Sequence, residues 1–372
     1  MRHWKEVILI VLLSIPCLRS AYGVEQDFQG QFSLWMLTSY EDDTVHANFG
    51  TRYIPQWTAT QGIGDDTFVD IEMSLNGFAA IDSEAEPVED ADLDLYRAKL
   101  RFATNQAETQ IGLQKLNFGP AQLLRSLQWF DKVDPHDPLQ LTDGVYALRC
   151  TYNFLNNANL WLWGLYGNED QKGLELFASS EGIPEFGGRV QYPLLDGELA
   201  ATVHTRKVDG SGLRIPDFRE NRFALDGRWE AIVGLWFETV LQQQRSEELP
   251  YTWRKLTTLG VDYTFGLGNG LYAVGEHFMN VSSETPLGWD NDAHVSGASL
   301  NYPINFFDSV TAIGYYFWDQ HEHSLYVTWQ RAYDEYSLNV SLFDLPDIAT
   351  NSEFRHKPFY GYGWQIMVVF YH

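Results

Sequence analysis

The last twelve residues, Gly361 to His372, read G-Y-G-W-Q-I-M-V-V-F-Y-H. Successive side chains of a strand point to opposite faces. Tyr362, Trp364, Ile366, Val368 and Phe370 therefore share one face, and Gly361, Gly363 and Gln365 take the other. In a sheet surrounded by water, a terminal strand turns its apolar side inward and leaves an edge to be protected. An aromatic face backed by small and polar residues suits a different setting. It fits a sheet closed on itself in hydrocarbon, apolar side to lipid and polar side to a lumen. The same alternation recurs upstream. Val69, Ile71, Met73 and Leu75 oppose Asp70, Glu72 and Ser74; Tyr146, Leu148, Cys150, Tyr152 and Phe154 oppose Ala147, Arg149, Thr151 and Asn153. Leu199, Ala201, Val203 and Thr205 oppose Glu198, Thr202, His204 and Arg206, and Leu259–Phe265 and Tyr336–Leu342 repeat the pattern.

The N-terminus predicts export. Met1–Glu6 carries Arg2 and Lys5, Val7–Leu18 is apolar, and Ser20-Ala21-Tyr22-Gly23 ends in small residues. This is the pattern of a secretory signal, residues 1–23, cleaved after Gly23 and too short to span a bilayer comfortably. Residues 24–372 are expected to form one domain. Cys17 falls inside the signal, with no lipid anchor expected, so Cys150 has no disulfide partner and should pack as a small apolar residue. No later apolar run approaches the roughly 20 residues a membrane helix needs. The aromatic content, 13 Trp, 20 Tyr and 23 Phe, fits a barrel whose membrane signal is diluted by alternation. The formal charge of −25 argues against nucleic acid as partner. It either favours the approach of cations or serves solubility and repulsion between chains.

Connection lengths carry a second signal. Short turns near Thr104–Gln106, Leu155–Ala158, Leu194–Gly197, Gly266–Asn269 and Pro303–Asp308 alternate with long polar segments. The long ones lie near Ile81–Ala91, Asn117–Thr142, Asn168–Pro184, Lys207–Glu220, Gln242–Trp253, Asn280–Ala293 and Asp344–Phe359. Short turns on one side and long loops on the other mark an antiparallel up-and-down transmembrane β-barrel, an all-β fold. Eighteen strands are predicted, starting near 29, 46, 67, 92, 107, 143, 158, 185, 197, 221, 232, 254, 270, 294, 308, 323, 335 and 360. Sixteen is the alternative, because Pro55–Asp66 is long for a turn at the short-turn end. Either width leaves an aqueous interior, where eight strands would be filled by their own side chains.

The terminal strand resembles the C-terminal signal of Gram-negative outer-membrane proteins. It departs from it by adding Tyr371-His372 after Phe370, where those proteins end on Phe or Trp. The resemblance implies handling by a barrel-assembly machinery through Trp364, Ile366, Val368 and Phe370, and location in the cell outer membrane among its lipid and lipopolysaccharide. A second stretch resembles a pattern common among Gram-negative porins. Ile111-Gly112-Leu113-Gln114-Lys115 leads into Asn117-Phe118-Gly119, then a Pro/Asp-rich loop, then Asp143-Gly144. It implies a loop over 117–142 that folds inward and narrows a pore, and it names no solute.

Candidate functional residues follow from that frame. Leu123, Leu124, Leu127, Trp129 and Phe130 are apolar residues in an outside loop. Cover for them lies against the barrel wall, as a short helix over Ala121–Trp129, or over the rim. Arg125, Trp129, Asp131, Lys132 and Asp134 are the constriction candidates. Arg97, Lys99 and Arg101 form a basic row on the polar side of one strand, with Tyr96, Ala98, Leu100 and Phe102 expected toward lipid; Arg149 lies on another polar face. The row either attracts anionic solutes such as uronic-acid sugars, phosphate or carboxylates, or is neutralised by Asp70 and Glu72 on the preceding strand and Glu108 on the following one.

Acidic tips at Glu41-Asp42-Asp43, Asp82–Asp94, Glu247-Glu248 and Asp290/Asp292 either bind divalent cations bridging to lipopolysaccharide or are solvated. His321 and His323 beside Glu322 and Asp319 lack a placed third ligand, so no metal and no cofactor is expected. Trp161, Trp163, Trp229, Trp236, Trp318, Trp329 and Trp364 are candidates for interfacial girdles or for a lumen surface on which sugars slide. No nucleophile motif is present, and the chain reads as no enzyme. The expected function is passive diffusion of small hydrophilic solutes with weak charge selectivity, as a monomer or homotrimer. The rival is a non-conducting barrel acting as adhesin, receptor or assembly partner.

Overall fold

Alternation at period two forces the apolar set of each segment to one side of a sheet, and no backbone group can stay unpaired in hydrocarbon. A computed structural model, describing residues 23–41, 44–82, 89–133, 137–346 and 361–372, resolves both demands by closure. The signal segment up to Tyr22, Asp134, and the acidic tips at 42–43 and 83–88 lie outside the described residues. The strands are β1 (Glu25–Glu41), β2 (Thr44–Gly62), β3 (Thr67–Asp82), β4 (Glu89–Thr104), β5 (Ala107–Gln114) and β6 (Val145–Asn153). They continue as β7 (Asn159–Leu165), β8 (Glu185–Leu194), β9 (Gly197–Val208), β10 (Phe218–Glu230), β11 (Gly234–Arg245) and β12 (Trp253–Phe265). The last six are β13 (Leu271–Ser283), β14 (Asn291–Pro303), β15 (Asp308–Phe317), β16 (Glu322–Ala332), β17 (Tyr336–Leu345) and β18 (Gly361–Tyr371). Each pairs antiparallel with the next, and β18 pairs with β1 from Gln31↔Tyr371 to Tyr40↔Tyr362. The result is a closed 18-stranded barrel.

Every strand begins within four residues of its expected start. The exception in detail is the first hairpin. Pro55–Gly62 is strand, and the turn is only 63–66. Pro55 sits opposite Gly30 of β1, while the ladder with β3 skips Ile54 and Pro55 and resumes in the same register at Gln56↔Ser74. A proline lacks the N–H for one ladder bond, so the strand survives with a local gap.

The two faces separate as alternation requires. Asp70 is 8% exposed on the lumen side, and neighbouring Ile71 is 40% exposed outward. Cys150 also faces outward and is exposed, with the Thr109 hydroxyl 3.7 Å from its sulfur, rather than packed. The tryptophans divide. Trp229, Trp318, Trp329 and Trp364 lie on the outward face, whereas Trp163 and Trp236 are buried inside and Trp161 lies inside against Arg149. The added C-terminal pair extends the seam. The backbones of His372 and Gly30 exchange two hydrogen bonds, and the His372 ring meets the Tyr53 hydroxyl at 3.1 Å.

A charge on the outer face should be costly. Leu225→Arg, in the middle of β10, is expected to destabilise the membrane-folded barrel by about 2–4 kcal/mol. Urea unfolding in lipid vesicles reads this, and an unchanged midpoint would contradict the outward placement of Leu225.

Candidate functional site

The basic row on β4 is built opposite acids. Arg101 pairs with Asp70 and Lys99 with Glu72 across the β3–β4 ladder. The ion pairs measure 2.7 Å and 2.9 Å. Glu108 on β5 reaches Arg101 at 3.3 Å and Arg149 at 2.8 Å. Opposite charges side by side on a low-dielectric wall neutralise each other. Arg97 behaves differently. Its guanidinium donates to the Thr142 carbonyl at 2.8 Å and hydroxyl at 3.2 Å, so it holds the end of the long loop. A bulge shifts the β3–β4 register between Ser74 and Leu75, leaving Tyr96 without a cross-strand pair. The extra residue breaks the alternation. Tyr96 joins Arg97 on the inner side, its ring 4.0 Å from the guanidinium, instead of facing lipid.

The segment between β5 and β6 lies across the lumen against β11, β12 and β13. No helix forms over Ala121–Trp129, because the amides that would start one are used by wall carboxylates. Glu276 accepts from the amides of Gln122, Leu123 and Leu124 at 2.7, 2.9 and 2.6 Å, and from the Trp236 indole at 3.0 Å. Glu238 accepts from the amides of Ala121 and Leu127 at 2.9 and 2.8 Å. The Thr258 hydroxyl donates to the Leu124 carbonyl at 2.5 Å. Gly119 permits this approach: its φ is +98°, and a Cβ there would fall 2.3 Å from Glu238 Oε1.

Phe118, Leu127, Trp129 and Phe130 pack with Trp163, Val240 and Leu256 of the wall. Each buried aromatic covers roughly 150–250 Å². At ~25 cal/mol per Å² that contributes up to about 4–6 kcal/mol, against about 1.5–3 for a hydrogen bond to a charged group. With several of each, apolar burial and the charge-assisted hydrogen bonds contribute comparably to docking, and the carboxylates set its register. Of the constriction candidates, Trp129 is buried in this cluster, and Asp131 is buried and tied at 3.1 Å to the half-buried Arg125. Lys132 is half-buried beside them, and Asp134 lies outside the described residues.

A second segment, between β7 and β8, also enters the lumen. The Leu174 amide donates to the Gln128 carbonyl at 2.9 Å, and Arg254 donates to the Leu174 carbonyl at 3.1 Å. Gly173, at φ +47°, lies so close that a Cβ would meet the Gln128 carbonyl at 2.0 Å. Below it lies a buried ionic network. Glu175 accepts from Arg206 at 3.0 Å and Arg222 at 2.8 Å, both of which also reach Glu220 at 2.7 Å. Lys172 meets Glu185 at 2.9 Å. His204 closes the set. The Trp163 indole can only donate, so His204 Nδ1 accepts at 3.3 Å, and Nε2 carries the proton toward Glu185 at 3.1 Å. His204 is thus neutral, and three basic side chains balance three acids.

Both segments cover the β6–β13 half of the inner wall. On the remaining wall, β3–β5 carry the ion pairs described above, and β14–β18 add uncharged pairs such as Asn301–Thr311, Thr328–Ser341 and Tyr326–Gln365. Arg206, like Arg189 and Arg228, was readable from sequence as a cation on a polar strand face, but Glu238, Glu276 and Glu175 were not among the residues singled out. The available signal was a lone carboxylate on the polar side of an otherwise apolar strand, as in Trp236–Val240 and Val274–Phe278.

No family model matches this chain, and no curated protein does. Solved structures do. OccAB1 of Acinetobacter baumannii superposes with a TM-score of 0.60 at 8% identity, over 95% of this chain and 98% of that one. OccD3 of Pseudomonas aeruginosa gives 0.57 at 9% identity, over 93% and 91%. An anion-selective porin from Comamonas acidovorans gives 0.52 at 9% identity, over 94% and 100%. The chain has the barrel fold of outer-membrane porins.

Removing the Glu276 carboxylate orphans three amides and an indole. Glu276→Ala is expected to lower the stability of the detergent-folded barrel by about 2–4 kcal/mol and to raise single-channel conductance as the 119–127 segment detaches. An unchanged conductance together with unchanged stability would show that the carboxylate does not hold the segment. Glu175→Ala, which leaves Arg206 and Arg222 to share Glu220 in a buried site, should cost about 3–5 kcal/mol; the same urea titration reads it.

Proposed function

We propose that this protein is a passive channel of the Gram-negative outer membrane, admitting small hydrophilic solutes with weak charge selectivity. One observation carries the reading: a closed 18-stranded wall, polar inside, whose lumen is narrowed by two docked segments and not filled by strand side chains alone. The likeness to porin folds supports it. So does the alternation of long connections with short turns; in this reading 115–144 and 166–184 lie outside the cell and both ends of the described barrel in the periplasm. In this reading the protein performs no chemistry and needs no cofactor. Its partners are outer-membrane lipid, lipopolysaccharide and the permeating solute, and Trp364, Ile366, Val368 and Phe370 of β18 serve recognition by the assembly machinery. We assign Arg97, Lys99, Arg101 and Arg149, with Asp70 and Glu72, to the field along one wall. Arg125, Trp129 and Asp131 keep the constricting segment in shape, and Lys132 meets the passage.

Balanced ion pairs on the wall favour weak selectivity, since a solute meets dipoles more than net charge. A second reading has specific support as well. The dry cluster around Trp129 and Phe130 fills part of the lumen, as it would in a non-conducting barrel acting as adhesin, receptor or assembly partner.

Planar bilayers decide between them: conductance steps of porin size support the channel, and silence supports the rival. In the channel, replacing Arg97, Lys99 and Arg101 with Gln leaves Asp70 and Glu72 without their cations. The reversal potential should then move toward cation selectivity, and an unmoved potential would remove the row from the mechanism.

A further inference from the structure

Lys207, Arg219 and Arg245 stand side by side on the outward face, at the loop end of β9, β10 and β11. Arg219 is directly opposite Lys207 on one flank and Arg245 on the other, and all three are exposed. Like charges directly opposite on neighbouring strands repel. Inside the barrel several cations stand opposite acids instead, Arg101 against Asp70, Lys99 against Glu72 and Arg206 against Glu220. The row is only partly answered from within the chain. Asp217 lies 3.2 Å from Lys207. Arg245 donates to the Gln243 side chain at 3.2 Å. Among the described residues the Arg219 guanidinium has neither a hydrogen-bond nor an ion-pair partner. In a chain of formal charge −25, three adjacent cations call for an anion from outside.

Their height says which one. Beneath them on the same face lies a polar row, Thr205, Asn221 and Gln243, joined at 2.9 and 3.3 Å. An apolar row of Val203, Phe223 and Leu241 follows, and the face continues to Trp229 at the turn end of β10. Arg219 and Trp229 are ten residues apart on one strand. At ~3.4 Å per residue and a tilt of about 40°, that is roughly 26 Å along the membrane normal. This matches the height of a lipid-facing apolar band, so the cations sit at the head-group level of the leaflet on the loop side. A solute in the lumen does not reach this face.

We propose that Lys207, Arg219 and Arg245 form a binding site for the phosphorylated head group of an anionic lipid in the outer leaflet. Guanidinium groups match phosphate oxygens in pairs, and the lysine adds a point charge. The site rests on the barrel spanning the outer membrane with its loops outward, and is independent of conduction.

The test is native mass spectrometry of the full-length, detergent-solubilised barrel with bisphosphorylated lipid A. The triple variant Lys207→Gln, Arg219→Gln, Arg245→Gln should bind it about tenfold more weakly or worse, and lipid A stripped of phosphate should bind the wild type no better than that. Inorganic phosphate at matched concentration should not displace the lipid. Equal affinity of wild type and triple variant overturns the proposal, as does displacement by inorganic phosphate, which would make the site one for the free anion. Migration on unheated gels reports folding. Should the triple variant not fold, Arg219→Gln alone should weaken lipid A binding and flatten its salt dependence, and an Arg219→Gln barrel matching the wild type in both overturns the site. A barrel silent in bilayers that still loses lipid on substitution supports this site while removing the channel reading.

Discussion

In hydrocarbon a backbone N–H or C=O left without a partner costs several kcal/mol, and that single constraint organises the molecule. It requires the last strand to find the first, and the β18–β1 ladder supplies the closure. Closure in turn fixes which side of each strand meets lipid. It also confines irregular backbone to places where something else can satisfy it. Pro55, inside β2, is tolerated because it forfeits one ladder bond among many. Of the two long segments that enter the lumen, the first is tolerated because wall carboxylates accept its amides, and the second because wall arginines donate to its carbonyls.

The interior follows from the same low dielectric. Charges on a lumen wall backed by lipid are stable when paired, and the chain pairs them: Arg101 with Asp70, Arg189 with Asp226, Arg206 with Glu220. Pairing converts potential selectivity into structure. The guanidiniums of Arg206 and Arg222 serve to clamp Glu175, and Arg97 anchors the return of the long loop at Thr142. The charges on β9–β13 are thereby committed largely to holding the inserted segments, while Arg101 and Lys99 on β4 pair within the wall. On the outer rim Asp217 answers Lys207, but among the described residues no acid pairs with Arg219 or Arg245, and the row stands out by that contrast.

Much of this was legible beforehand, for reasons tied to particular residues. Strands such as β3 and β18 announce themselves because period two is local: Ile71 and Asp70 need no distant information to declare opposite faces. The long loop's inward course was foreshadowed by Trp129 and Phe130, apolar side chains that a solvated loop has no use for. The segment between β7 and β8 was not foreshadowed, since N-E-D-Q-K-G-L-E-L-F reads as an ordinary polar loop. Its Glu175 becomes meaningful only beside Arg206 and Arg222, which arrive from β9 and β10. The bulge at Tyr96 was equally silent, because one extra residue leaves the composition of β4 unchanged while reversing a side chain.

What the amino-acid order determines by itself is the sheet: strand positions, the face residues take wherever no bulge intervenes, the alternation of turns with loops, and hence a lipid-spanning cylinder. These rest on neighbours one or two positions apart. What only the folded chain decides is the inside: which carboxylate seats which amide, why Glu238 and Glu276 grip residues 121–127, and which cations are spent on ion pairs. The contacts of Glu238 and Glu276 join residues more than a hundred positions apart, and the cylinder must close before they can meet.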